Sequence, residues 1–207
     1  MDEKDFDTLE QRLEIRQRFT LAHEIIHTLF FNSLSSPPTP LKETPPLRVL
    51  EFMSQLGARI LLVPGHLLRK SIGDRFINAD SILQLSKEFQ VSAEVMVRRI
   101  DKLERLRRLQ LAVVVAESES ENADAKIRAV CYHPTLRPIL ARPKLFTNLR
   151  AWCGDYLDDK FWTEASWERS VRKDAETIRL RKVVLSNERH TFLLEIEHVS
   201  SHAVVSR

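Results

Sequence analysis

One five-residue pattern, His23-Glu24-Ile25-Ile26-His27, restricts the folding of this chain more than any other feature. It sits in residues 16–31, where Phe19, Leu21, Ile25, Ile26, Leu29 and Phe30 predict a strongly apolar helix that is buried. Helical residues four apart lie about 40° apart around the axis and roughly one turn apart along it, so His23 and His27 project from one face. Two neutral imidazoles at that separation can share one zinc ion at about 2.0–2.1 Å each. Glu24 sits on the rim of the same face, where its carboxylate reaches an attacking water without being a ligand. Burying an ionised glutamate requires a compensating partner, and a metal ion is one such partner.

The rest of the composition excludes several alternatives. Four glycines are too few to write a phosphate-cradling loop, and no G-x-G-x-x-G or Walker pattern occurs. Cys131 and Cys153 lack Cys-x-x-Cys spacing, so neither a disulfide scaffold nor a thiolate zinc site is indicated, and both are expected to be reduced and buried. The formal net charge of +3 and pI near 9.0 allow contact with nucleic acid without arguing for it. No apolar run reaches the roughly 18–20 residues that span a bilayer. The acidic start, Met1-Asp2-Glu3-Lys4-Asp5, has no hydrophobic signal region, so the expectation is a cytoplasmic protein without a membrane partner. At 207 residues the chain can hold one large or two small domains.

Along the chain, residues 8–31 read as one helix. Pro37, Pro38, Pro40, Pro45 and Pro46 then predict a surface loop without regular structure. Residues 47–63 form a second helix closed by Pro64, with Leu47, Leu50, Ser54, Gly57 and Leu61 spaced as a packed face. Glycine inside a helix is about 1 kcal/mol worse than alanine unless something approaches it closely, so Gly57 is expected against the His-bearing helix. A short helical segment at 64–73 leaves His66, Arg69 and Lys70 exposed. Residues 79–89, a turn at Gln90-Val91, Ser92 as N-cap and a helix to about Arg108 resemble a helix-turn-helix. Arg98, Arg99, Lys102, Arg105, Arg107 and Arg108 give that last helix a basic side. Weak DNA contact through Arg98, Arg99, Lys102 and Arg105 is weighed against a solvated face diluted by Asp101 and Glu104.

From residue 109 the texture changes. Residues 111–115 and 127–132 read as strands on either side of an acidic linker at 117–124. Residues 145–157 and 162–171 have helical or mixed patterning. Residues 182–185 and 191–199 alternate again around Asn187-Glu188, which marks a hairpin. This half reads as a small α+β domain with an antiparallel sheet, and His190, His198 and His202 read as structural or exposed residues.

A zinc hydrolase keeps three protein ligands and an open fourth position. For the third ligand the chain offers Glu43, in the proline-rich loop, or Glu51, on the second helix. Glu51 is favoured because a packed helix fixes a ligand better than a loop does.

Three blocks carry a family resemblance. Arg18-Phe19-Thr20-Leu21-Ala22-His23-Glu24-x-x-His27 resembles the hallmark of the ImmA/IrrE-type zinc metallo-endopeptidases. Glu51, Ala58, Leu61, Leu62 and Pro64 follow the frame of that family's next helix. Residues 85–92, with Arg99, Ile100 and Leu103, resemble a third block, so the match runs from residue 16 to about 106. The resemblance implies one zinc per chain held by His23, His27 and Glu51, with Glu24 as general base. It implies an endopeptidase that cleaves a helix-turn-helix transcriptional repressor in a stress or mobile-element response. The implied fold class is α+β: a mainly helical, zincin-like metallopeptidase region at 1–75, a helix-turn-helix-like segment at 76–109, and an α+β domain at 110–207 in the position of a GAF-like sensor. Ile26, Gln55 and Gly57 depart from the family pattern, and the bulk of Ile26 is expected to refill space that Gly57 vacates. Only about 15 residues precede the first block, where the family usually has strands, one edge of which holds substrate. This motivates one alternative, a catalytically impaired, zinc-containing regulatory or binding module; the helices of residues 79–108 motivate another, a DNA-binding regulator.

Overall fold

The computed structural model describes residues 9–32, 34–42, 44–73, 77–103, 111–118, 125–132, 136, 141–164, 166–173, 176–186 and 191–199. The chain divides into two units, Met1–Gly73 with Ser86–Ser92, and Asp74–Leu85 with Ala93–Arg207.

The first unit is built on helix α1 (Leu9–Thr28), strands β1 (Phe31–Asn32) and β2 (Thr39–Pro40), and helices α2 (Leu47–Leu62) and α3 (Gly65–Ile72). Helix α1 forms where expected and ends at Thr28, three residues early. The proline-rich segment is not wholly irregular, because Phe31 and Asn32 pair antiparallel with Pro40 and Thr39. A two-stranded ladder leaves each strand an outer side, where the donor that proline lacks is not needed. The Leu41 N–H donates to the Phe30 carbonyl at 3.0 Å and closes the ladder.

Helix α1 is not the buried helix that its composition suggested. Among its described side chains only Ala22 is buried, while Leu21, Ile25 and Leu29 just beyond it are 63%, 45% and 65% exposed. They recur at i, i+4 and i+8 and so form one stripe. The main packing partner of α1 is α2, which buries Leu50, Ser54 and Ala58. Leu47 and Leu61, expected on that packed face, are exposed instead. Gly57 meets α1 as expected: a Cβ added there would lie 2.9 Å from both Cγ1 and Cγ2 of Ile26.

Helix α4 (Ala79–Phe89) is divided between the units, giving its residues to Leu85 to the second and those from Ser86 to the first. It closes on Gln90, whose φ of 51° is the left-handed conformation that ends many helices. Arg18 of α1 donates from Nη1 to the Phe89 carbonyl at 3.3 Å, the Gln90 carbonyl at 2.9 Å and Gln90 Oε1 at 2.8 Å. A guanidinium there satisfies terminal carbonyls and complements the negative end of the helix dipole.

The second unit holds helix α5 (Ala93–Asp101), strands β3 (Leu111–Glu117) and β4 (Lys126–Tyr132), helix α6 (Leu149–Cys153), a 3-10 turn at Gly154–Tyr156, helix α7 (Asp159–Thr163), and strands β5 (Ser166–Lys173), β6 (Glu176–Ser186) and β7 (Thr191–Val199). The five strands form one antiparallel sheet in the order β4-β3-β7-β6-β5. Ala112, Val114, Ile178, Leu180, Leu194 and Ile196 line one face with Leu149, Phe161 and Trp167. Alternation puts Val113, Val115 and Leu193 on the other face, and α5 packs on β3 and β4. Glu195, on that second face, accepts the Ala79 N–H at 3.0 Å and an Arg181 N–H at 2.8 Å.

Three further expectations are corrected. Residues 162–171 are not one helical stretch: α7 ends at Thr163 and β5 begins at Ser166, pairing along its length with β6. Helix α5 ends at Asp101, so it does not run to Arg108. Of its expected basic side, Arg98 and Arg99 are engaged within the unit. Arg99 is 8% exposed, and Arg98 donates to Glu94 and to the Arg128 carbonyl, because α5 lies on the sheet. Lys102 is exposed. Glu43, Glu104, Arg105, Arg107, Arg108, residues 119–124, Asn187-Glu188, His190 and His202 lie outside the described residues. His198 pairs with Ile178 in the β6–β7 ladder.

Cys131 and Cys153 are free and buried, as expected. Burial pushes both thiols up to about 12; the Asp101 charge adds to this at Cys131 and Arg142 opposes it. Among the described residues, no helix is long and apolar enough to cross a membrane.

Candidate metal centre

Helix periodicity and one interhelical contact assemble the site. One turn of α1 separates His23 from His27, and their rings meet edge to face with centroids 4.5 Å apart. The two Nε2 atoms converge to 2.9 Å. From α2, Glu51 reaches both, with Oε2 3.3 Å from His23 Nε2 and Oε1 3.2 Å from His27 Nε2. The imidazoles are 16% exposed and the Glu51 side chain 46%, so the cluster opens to solvent on the carboxylate side.

These distances test the fit to a metal. A tetrahedral ion with ligands at about 2.0–2.1 Å sets neighbouring donor atoms about 3.3 Å apart, which the two nitrogen–oxygen separations match and the nitrogen–nitrogen one approaches. The donor atoms of His23, His27 and Glu51 all lie within 4.8 Å of one another, and among the described residues no other group of three His, Cys, Asp or Glu does so. Two imidazoles and one carboxylate also form a donor set that suits zinc.

Glu24 is exposed on α1. On the helical wheel it stands about 60° from His27 and 100° from His23, on the flank of the ligand face. His66, Arg69 and Lys70 are exposed on α3, apart from the cluster. Sequence reasoning assigned no role at the site to Arg18 or to Ser54. For Arg18 the signal was its place in the first block, ahead of the histidines. For Ser54 it was a hydroxyl within an otherwise apolar face.

Residues 10–101 match the family model of the IrrE N-terminal-like domain. That stretch, less than half of the 207 residues, resembles a domain of this metallopeptidase family. All three residues of the cluster and Glu24 fall inside the matched IrrE N-terminal-like stretch. A search of curated proteins found no match. Among solved structures, a Mycobacterium tuberculosis transcriptional regulator matches at 12% identity and a TM-score of 0.41 over 90% of this chain; the chain spans about half the length of that protein, 53%.

Proposed function

We propose that this chain is a zinc-dependent endopeptidase with one zinc per chain, held by His23, His27 and Glu51, and with Glu24 as general base. The convergence of two Nε2 atoms and one carboxylate at 2.9, 3.2 and 3.3 Å within an IrrE N-terminal-like domain carries the reading. Zinc held there by His23, His27 and Glu51 would supply a Lewis acid for the scissile carbonyl and would lower the pKa of water toward neutrality. Glu24 takes the proton of the attacking water and delivers it to the departing amine. Helix α1 holds Glu24 and both histidines on one rigid element, and Glu51 arrives from a second helix fixed by the Gly57–Ile26 contact. The open carboxylate side leaves room for an extended polypeptide.

The family resemblance extends the proposal to a substrate, a helix-turn-helix repressor of a stress or mobile-element response, and to a cytoplasmic setting. It extends it also to a GAF-like sensor role for the sheet of the second unit, which supports that reading only by its antiparallel α+β form. A second reading, a zinc-containing module that binds partners without turnover, is favoured by the exposed apolar stripe on α1. Metal analysis and cleavage of a repressor encoded beside this protein separate the two. Under the first, wild type holds one zinc and cuts, Glu24→Gln holds zinc and does not cut, and Glu51→Ala loses zinc. Cleavage that survives Glu24→Gln removes the role of Glu24. Zinc with no turnover in wild type selects the second reading.

A further inference from the structure

Among the described residues of the first unit, two buried side-chain polar atoms have no hydrogen-bond partner, Nδ1 of His23 and Oγ of Ser54. Ser54 is fully buried on the face of α2 that also buries Leu50 and Ala58, and α1 is the main element against which that face packs. Its neighbours along α2 fix what it lies over. Glu51, one turn before it, meets His23 and His27, and Gly57, one turn after it, meets Ile26. Ser54 therefore faces the turn of α1 that begins at His23, whose inner nitrogen lacks an acceptor.

A neutral imidazole carries one N–H and one lone pair. If Nε2 binds metal, its lone pair is used there and the proton sits on Nδ1. Metal-bound histidines almost always donate that second N–H to a carboxylate, carbonyl or water, which fixes the tautomer and the ring angle. A serine hydroxyl is both donor and acceptor and turns freely about its Cβ, and a single buried water satisfies two such atoms when the gap is wider.

We infer that Ser54 is a positioning residue that accepts the His23 Nδ1–H through one bridging water and so presents the Nε2 lone pair to a metal held at the cluster. The inference rests on the metal reading of the His23–His27–Glu51 cluster given above.

The test compares wild type, Ser54→Ala and Ser54→Thr. Zinc affinity is measured by competition with a chromophoric chelator, and the His23 tautomer is read in the metal-free protein from proton–nitrogen NMR of its ring. Ser54→Ala removes a buried hydroxyl without adding bulk, so it folds, and an unchanged far-UV CD spectrum checks this. The expected result is about 10–100-fold weaker zinc binding in Ser54→Ala. In the same variant the Nδ1–H tautomer is expected to lose population, and Ser54→Thr, which keeps the hydroxyl, to retain it. Equal affinity and an unmoved tautomer in Ser54→Ala overturn the role of Ser54. If wild type binds no zinc, the metal reading fails, and the tautomer in the metal-free proteins still decides whether Ser54 sets it.

Discussion

Substituting Gly57 by alanine tests the packing that brings Glu51 to the histidines. Removing glycine from a helix interior gains about 1 kcal/mol of helix propensity. Against this, the new Cβ would stand 2.9 Å from Cγ1 and Cγ2 and 3.1 Å from Cδ1 of Ile26. Two γ carbons clash at once, and a β-branched side chain in a helix has one strongly preferred χ1, so Ile26 cannot rotate away cheaply. Overpacking of this kind costs about 1–3 kcal/mol, which leaves Gly57→Ala net destabilising by about 0–2 kcal/mol. With Ile26 already cut to alanine the clash is gone, and the same substitution then stabilises by about 1 kcal/mol. The coupling in the double-mutant cycle is therefore about 1–3 kcal/mol, measurable from urea unfolding of the four proteins followed by far-UV CD. Separating the helices also draws Glu51 from His23 and His27, so under the proposed zinc site the affinity for zinc falls with stability. A Gly57→Ala that stabilises equally in both backgrounds would refute the close approach of α2 to α1.

Other outcomes follow from groups away from this contact. Arg18→Ala strips the donor from the Phe89 and Gln90 carbonyls and lowers stability by about 1 kcal/mol, a loss absent from thermal melts if the cap is idle. Cys131 and Cys153, with thiols pushed up to about 12, resist Ellman's reagent at pH 8 until the protein is unfolded; rapid labelling of the native protein contradicts their burial. At Asp158 desolvation raises the carboxyl, but hydrogen bonds from Trp167 and Phe161 N–H, with Arg169 and Lys160 nearby, outweigh it and hold the group below its ordinary 3.8. A depressed acid stabilises the fold above its unfolded value and loses that contribution as pH falls through the folded one. Asp158→Asn should therefore flatten the acid limb of stability below about pH 4, and an unchanged limb removes Asp158 as its source.

The candidate site was legible because its geometry is local. His23 and His27 share a face by helical period alone, and Glu51 followed from the packed face of the next helix. Gly57 against Ile26 was readable for the same reason, since glycine in a helix marks close approach. Features set by distant partners were not legible. The acceptors of Arg18 lie 71 and 72 residues away, and nothing near Arg18 announces them. Apolar periodicity shows that a helix has a greasy side but not what covers it, so Leu21, Ile25 and Leu29 were assigned to a core that does not reach them. Strand β5 was missed because Glu168, Arg169 and Arg172 obscure the alternation of Trp167 and Val171. Arg98 and Arg99 left DNA contact and a solvated face as the alternatives, because their own stretch does not announce that α5 lies on the sheet.

The division of α4 bears on how such a protein can be cut and recombined. The unit that carries His23, His27 and Glu51 is discontinuous in sequence, closed by Ser86–Ser92 after an excursion through Asp74–Leu85 that belongs to the other unit. A gene fragment ending at Gly73 encodes both histidines and Glu51 but discards the carbonyls that Arg18 holds. A fragment reaching Ser92 keeps them but carries off the Ala79 N–H and the Asp80 carboxylate, partners of Glu195 and Arg181. Either cut breaks hydrogen bonds within one unit, so neither fragment boundary separates the two units cleanly.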